Sequence, residues 1–417
     1  MELRPGSYDK ILELAEKGVE MPNPWTLDIG EEVDPDRISG RGVILFPGCR
    51  IYGRNTVISA GATIGYEGPA TIDDCQIGPG VELKGGYFNK AVFLEKSSLG
   101  LGAHVREGTI LEEEANGAHC VGLKQTILFP FVTLGSLINL CDCLVAGGTS
   151  RKDHSEVGSS YIHFNYTPDG DKTTASLVGD VPRGVMLNRA PIFLGGQGGM
   201  VGPIRVNYGN VVAAGTVLRT DVDDEDRLVF GQVPTGENRD RRPHSYRTIA
   251  RVVGNNIRYL ANLVALEHWY AYVRRPFFDR QELGNLVYAG AMARLASAKE
   301  ERTKRLEAMA AKAKASIGRY EDRQQSDAGK REFYDAMQAI DGLFAGGPAE
   351  HIGAAQRSSF LDAAHVQGQS DDQKYVDFIK GLPAETSEAG ARWLQAIVDH
   401  LCRQAQALMP SLHLFSK

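Results

Sequence analysis

In Val206-Asn-Tyr-Gly-Asn-Val-Val212-Ala-Ala-Gly-Thr-Val-Leu218, aliphatic residues recur every six positions, and this beat restricts the fold more than any other feature. Leu99, Val105 and Leu111 keep the same spacing, as do Ile58 and Ile64. Six is neither the helical period nor a sustained strand alternation. It is the period of a parallel β-helix, in which each short strand forms one side of a triangular prism and three hexapeptides close a coil. The aliphatic side chain points inward. Small residues (Gly61, Gly65, Gly102, Gly108, Gly209 and Gly215) let the backbone turn at the corners. Stacked coils share hydrogen bonds and a buried column of Ile, Leu and Val, so no coil is stable alone. The 47 glycines in 417 residues suit a chain that turns so often.

The beat runs from about residue 42 to 222, with expected interruptions at 84–90 and an inserted loop at 149–172. Residues 1–41 form a lead-in, with an amphipathic helix around Ser7–Lys17 that sets Ile11, Leu12 and Leu14 on one side. The acidic stretch Asp221–Asp226 and the segment Pro234–Pro243 read as a connector over 223–245. From 246 to 417 the period becomes helical, as in Ile249, Val252, Val253, Ile257, Leu260, Leu263 and Leu266. Gln281–Arg323 suits one or two long helices whose mixed charges form a solvated face. Gly346-Gly347-Pro348 breaks the array, and two or three shorter helices follow, including Ala389–Met409. The expected fold class is mainly a β-solenoid followed by an all-α C-terminal region.

With 46 basic and 52 acidic side chains, the net charge of −6 gives no global pull toward nucleic acid or anionic lipid. The longest uncharged apolar run, Gln125–Cys141, contains Pro130, Gly135, Ser136 and Asn139 and is unsuited to a membrane helix. Met1–Gly6 has no apolar stretch suited to a signal peptide. Six cysteines form no disulfide framework, and Cys141 and Cys143 have no second pair at zinc-site spacing. These features lead us to expect a cytoplasmic protein with free thiols and no metal.

Ser98-Leu-Gly-Leu-Gly-Ala-His-Val-Arg106-Glu-Gly, Val121-Gly-Leu-Lys124-Gln, Phe164-Asn165-Tyr166 with Asp169-Gly170 and Lys172, Val178-Gly-Asp180 and Val211–Val217 carry a family resemblance. Together they resemble the left-handed β-helix superfamily of hexapeptide transferases. Within it, they are similar to the acetyltransferase half of the bacterial bifunctional enzymes that make UDP-N-acetylglucosamine. The resemblance spans Ser98–Val222 and implies a left-handed coil, homotrimeric assembly, and ligand sites in the grooves between prisms. It also implies a sugar phosphate or nucleotide-sugar as ligand and acetyl-coenzyme A or another acyl-coenzyme A as donor. Arg106 and Lys124 match the phosphate-binding positions. They stand one coil apart, so both cations are expected on one prism edge, at the strand spacing of about 4.8 Å. Asn165, Tyr166 and Lys172 match a sugar- or phosphate-binding loop.

Two positions depart from that pattern. No Gly-rich phosphate loop opens a helix, and Gly195–Gly199 lies within the coils, so uridyl transfer is not expected. Counting from Lys124 puts Ser136 at the family's catalytic histidine and Asn139 at a substrate-binding tyrosine. A serine hydroxyl cannot serve alone as a general base near neutral pH. His154, oriented by Asp153 or Glu156, is the expected replacement, with His163 second. His104 and His119 rank below them as corner residues. The alternative function is a catalytically inactive scaffold or ligand-binding subunit.

Overall fold

Strands of two to seven residues stack into a β-solenoid of about eleven turns over residues 28–229, and a helical region follows. The computed structural model describes residues 8–231, 236, 238, 246, 249–318, 324–347, 350–365 and 373–415. Met1–Gly6 and most of Pro234–Pro243 lie outside the described residues.

The prism has three faces of parallel strands. Face 1 runs from Asp28–Ile29 through Arg50–Tyr52, Gly86–Asn89 and Ala103–Val105 to Val217–Leu218. Face 2 runs from Val57–Ile58 through Gln76–Ile77, Ala91–Phe93 and Thr109–Leu111 to Arg205–Val206. The long strands Gly122–Leu128 and Asn139–Val145 bend from face 1 onto face 2. Face 3 is a separate sheet, from Ile44–Leu45 to Leu228–Val229.

The inward column of face 1 is Ile51, Ile72, Phe88, Val105, Leu123 and Leu140, in register and fully buried. The six corner glycines named from the sequence all have φ between +72° and +89°. Asp74, Cys120, Gln125, Leu137 and Asp142 take the same left-handed turn with side chains, which costs about 1–2 kcal/mol each. The stacked ladders absorb that cost.

The solenoid is longer than its beat. Asp28–Ile29 pairs with Arg50–Ile51, and Leu228–Val229 pairs with Val211–Val212, so the coils run beyond 42–222 at both ends. The interruption expected at 84–90 is the in-register strand Gly86–Asn89. The single loop expected at 149–172 is two excursions. A hairpin, Gly148–Ser150 with Asp153–His154, leaves the edge between faces 2 and 3. Residues 165–175 leave the edge between faces 1 and 2. Between them, Glu156–Val157 and Ile162–Phe164 keep their places on faces 3 and 1.

The helices are α1 (Tyr8–Lys17), α2 (Val181–Gly184), α3 (Ile249–Trp269), α4 (Arg275–Asp279), α5 (Gly284–Ala315), α6 (Gln324–Phe344), α7 (Ala354–Ala364), α8 (Tyr375–Lys380) and α9 (Ala384–Leu408). In α1, Ile11 and Leu14 are buried while Leu12 faces out. Gln281–Arg323 yields one long helix, α5, which lies along face 2. Gly290 of α5 approaches Gln76, and Arg294 donates to the Lys90 carbonyl at 3.1 Å. Asn256 of α3 donates to the Thr173 carbonyl at 3.1 Å. Among the described residues, no helix is long and apolar enough to cross a membrane.

Buried ion pairs clasp the helices to the coils. A π-helical turn, Tyr270–Arg274, follows α3 and sinks Arg274 between Glu112 and Glu113, with its Nη1 3.3 Å from Glu112. The Tyr270 hydroxyl donates to Glu112 at 2.6 Å, and the Arg274 guanidinium lies 4.0 Å from the Tyr375 ring centre. On α5, Arg302 meets Asp142 at 2.8 Å. Each charge keeps a partner, without which burial would be prohibitive.

Candidate functional site

Strand alternation decides what face 1 presents to solvent. His104 points out and Val105 in; on the next coil Gly122 and Lys124 point out and Leu123 in. One coil further, Asn139 and Cys141 point out and Leu140 in. The Arg106 amide donates to the Leu123 carbonyl at 2.9 Å, so Arg106 and Lys124 sit on successive coils at the same edge.

The two cations differ in their surroundings. Lys124 Nζ lies 2.8 Å from a Glu107 carboxylate oxygen. Partial burial raises the Glu107 carboxyl, but the hydrogen bond from Lys124, a backbone hydrogen bond and the charges of Lys124 and Arg106 together leave the group below the usual carboxylate range. Arg106 is exposed, and no carboxylate among the described residues forms an ion pair with it. Burial holds the Cys141 pKa above the ordinary value, although the positive charge of Arg106 favours the thiolate.

Beside Arg106 is an open hollow of about 330 Å³, lined by His104, Cys120, Gly122, Asn139 and Cys141 among others. It exists because Gly122 brings no side chain to the outward column. A Cβ placed there would meet only the Ile138 carbonyl at 3.5 Å and Asn139 Oδ1 at 3.9 Å. The His104 ring packs on Tyr87 with centroids 5.2 Å apart. Two larger hollows, each about 550 Å³, lie elsewhere. One lies where Lys96 and Glu113 meet Arg280 and Lys374; the other lies beside the buried Glu267–Lys299 pair. Neither touches the cation edge, so size alone does not mark the site.

The remaining sequence candidates separate. Asn165, Tyr166 and Lys172 lie toward the edge of Arg106 and Lys124, on later coils. There the Asn165 side-chain amide oxygen accepts from the Thr174 hydroxyl at 2.7 Å, Tyr166 is 70% exposed, and the Lys172 carbonyl accepts from Arg302 at 3.2 Å. His154 belongs to the other excursion, with Nδ1 2.9 Å from the Arg151 carbonyl. Arg151 is occupied in closing that edge, donating to the Glu114 carbonyl at 3.1 Å and to Thr133 at 3.0 Å. His163 points into the prism, in register with Met200. Its Nδ1 bonds the Cys141 carbonyl, its Nε2 lies 2.8 Å from the Ser176 hydroxyl, and burial pushes its pKa down to about 4. Ser136 sits at the corner before face 1, where its amide donates to the Ser159 hydroxyl at 3.1 Å.

His104 is a mid-strand residue, not a corner one, and with Gly122 it completes the hollow. Two positions before Arg106 on an alternating strand, and one coil from Gly122, its place on the outer face is implied by the repeat itself.

No family model matches this chain. It is 28% identical over 203 residues to the bifunctional protein GlmU of Trichlorobacter lovleyi, covering 48% of this chain and 39% of that protein. The GlmU of Thermotoga maritima is 29% identical over 51% of this chain and 42% of its own length. That of Nocardia farcinica is 30% identical over 44% and 33%. The chain thus spans about two fifths of the length of the curated relatives it matches. A solved structure of the polysialic acid O-acetyltransferase OatWY aligns with 55% of this chain and 91% of its own, at 14% identity and a TM-score of 0.15. About half of this chain is thus distantly similar to GlmU, and that similarity together with the β-solenoid supports a relation to the hexapeptide β-helix transferase superfamily.

Proposed function

We propose that face 1 binds a phosphorylated sugar or nucleotide-sugar and that the protein is an acyltransferase of the hexapeptide class, with an acyl-coenzyme A thioester as second substrate. The observation that carries this reading is the exposed Arg106 guanidinium, which forms no ion pair with a carboxylate among the described residues, beside the hollow at Gly122. A guanidinium offers a planar fork of donors that matches phosphate oxygens. Asn139, with Asn165 and Tyr166 toward the same edge, supplies amide and hydroxyl groups of the kind that sugar hydroxyls require. Helices cover face 2, while face 3 and its corner with face 1 keep outward apolar groups such as Leu137, Phe193, Val211 and Leu228, so a homotrimer would assemble through them.

Arg106→Ala should weaken binding of a UDP-amino sugar at least tenfold by titration calorimetry; unchanged affinity would remove the site. A second reading, a binding or scaffold subunit without catalysis, is favoured by Ser136 at the relatives' histidine position and by the engagement of Lys124 with Glu107. Release of free thiol from acetyl-coenzyme A in the presence of amino-sugar phosphates decides against that second reading.

A further inference from the structure

We infer that His104 is the proton acceptor for acyl transfer on face 1, acting in the gap left by Gly122; the inference rests on the acyltransferase reading above. Three observations converge on it. First, His104 in the middle of its strand and Arg106 just past the strand's end are both exposed and both line the hollow, two residues apart, so a ligand whose phosphate rests on Arg106 extends past the imidazole. Second, the His104 ring is exposed and packs on Tyr87, and no hydrogen bond from another described residue occupies either ring nitrogen. The other two candidate histidines are placed differently: His163 has both nitrogens bonded inside the prism, and His154 has Nδ1 bonded at a different edge.

Third, the outward column contains two glycines that receive different treatment. At Gly199 the Phe164 ring occupies the space that a side chain would take. At Gly122 no side chain fills it; the nearest atoms to a Cβ there are the Ile138 carbonyl and the Asn139 amide oxygen. The unfilled gap lies directly between His104 and Asn139, which are the register neighbours of Gly122 on either side. A ligand group held there meets an imidazole on one coil and an amide on the other.

The chemistry balances with the two substrates already named. His104 takes a proton from the amine or hydroxyl of the sugar phosphate as its nitrogen or oxygen forms a bond to the thioester carbonyl carbon. The carbon–sulfur bond breaks, and the imidazolium returns the proton to the departing thiolate. The products are the acylated sugar phosphate and free coenzyme A thiol, with no oxidant or metal required. General-base assistance of this kind contributes roughly 10²–10⁴-fold to rate.

The test uses the full chain with acetyl-coenzyme A and glucosamine 1-phosphate, following thiol release and, separately, sugar-phosphate binding by calorimetry. His104→Gln should lower kcat by about 10²–10⁴-fold, hold the sugar-phosphate Kd within about threefold, and abolish the acid limb of the pH–rate profile. His154→Gln should leave turnover within about twofold, and Gly122→Val, which fills the gap, should weaken sugar-phosphate binding. Full turnover by His104→Gln with its acid limb intact overturns the inference while leaving the acyltransferase reading in place. Sugar-phosphate binding that depends on Arg106 without any thiol release overturns both the inference and the acyltransferase reading, and leaves only the binding site. Loss of both binding and turnover in the native protein removes the binding site as well.

Discussion

Faces 1 and 2 share two long strands, Gly122–Leu128 and Asn139–Val145, which bend from one to the other, yet their polar groups meet opposite fates. Around face 2, Glu112, Glu113 and Asp142 are buried by the helical region, and each meets a helix-borne arginine. On face 1, His104, Arg106 and Asn139 stay exposed around a hollow. A covered face tolerates charge only where a partner arrives with the cover. An uncovered face can keep a donor or base available for a ligand. The helices thereby divide the prism into a covered side with paired charges and a side left open to solvent.

The largest effect should come from breaking the cover. Arg274→Ala leaves two carboxylates buried against α8 and the π-helical turn, and should cost about 3–5 kcal/mol in denaturant unfolding. The triple change Arg274→Met, Glu112→Gln and Glu113→Gln should recover most of that loss, because the charge rather than the volume is at fault. A single variant losing less than about 1 kcal/mol would show that the helices do not depend on this clasp.

A smaller effect separates the two faces by pH. Burial, opposed by Arg274 and reinforced by Glu113, pushes Glu112 up to about 7. Between an unfolded value near 4.5 and that folded value, the native state keeps a proton that the unfolded chain has released. The contribution of Glu112 to stability therefore falls as pH rises through that window. Glu112→Gln should accordingly gain on the native protein from pH 4.5 to 7 and level off above, by about 1–3 kcal/mol in all. His163 and His268, both pushed down to about 4 chiefly by burial, work in the opposite sense. Below an unfolded pKa near 6.5 the unfolded chain gains protons that the native state refuses, so acid lowers stability down to about pH 4. A stability difference between Glu112→Gln and native protein that stays flat across pH 4.5–7 would remove Glu112 as the buried titrating group.

Much of this architecture is legible in the residues themselves. Leu99, Val105, Leu111, Val206 and Val212 are buried where the six-residue beat places them, and the eighteen-residue step from Arg106 to Lys124 is one coil in register. The solenoid's ends were not legible, because Asp28–Ile29 and Leu228–Val229 each offer too few residues to establish a period. Lys84-Gly85-Gly86 reads as a loop, although Gly86 begins a strand, because glycine composition is shared by turns and by bulged strand starts. His154 and Asn165 look adjacent in sequence, but the excursions that carry them leave different edges, and edge assignment requires coil counting through irregular coils. The pairing of Lys124 with Glu107 carries no sequence signature, since it depends on the corner between them.

That pairing supports the smallest effect and the finest test of face 1. Both side chains are about a third exposed, so the bond should be worth no more than about 1 kcal/mol to the fold. Its functional effect should be larger in proportion. Glu107→Gln removes the carboxylate that holds Lys124 Nζ and leaves two uncommitted cations at one edge. Affinity for a sugar phosphate should then rise about threefold to tenfold at low salt, and the gain should shrink as ionic strength screens the added charge. Lys124→Ala in the native background should change affinity little, and in the Glu107→Gln background it should erase the gain. If Glu107→Gln leaves affinity unchanged, Lys124 lies outside the phosphate's reach and Arg106 holds the anion alone, which narrows the open side of the prism to the hollow at Gly122.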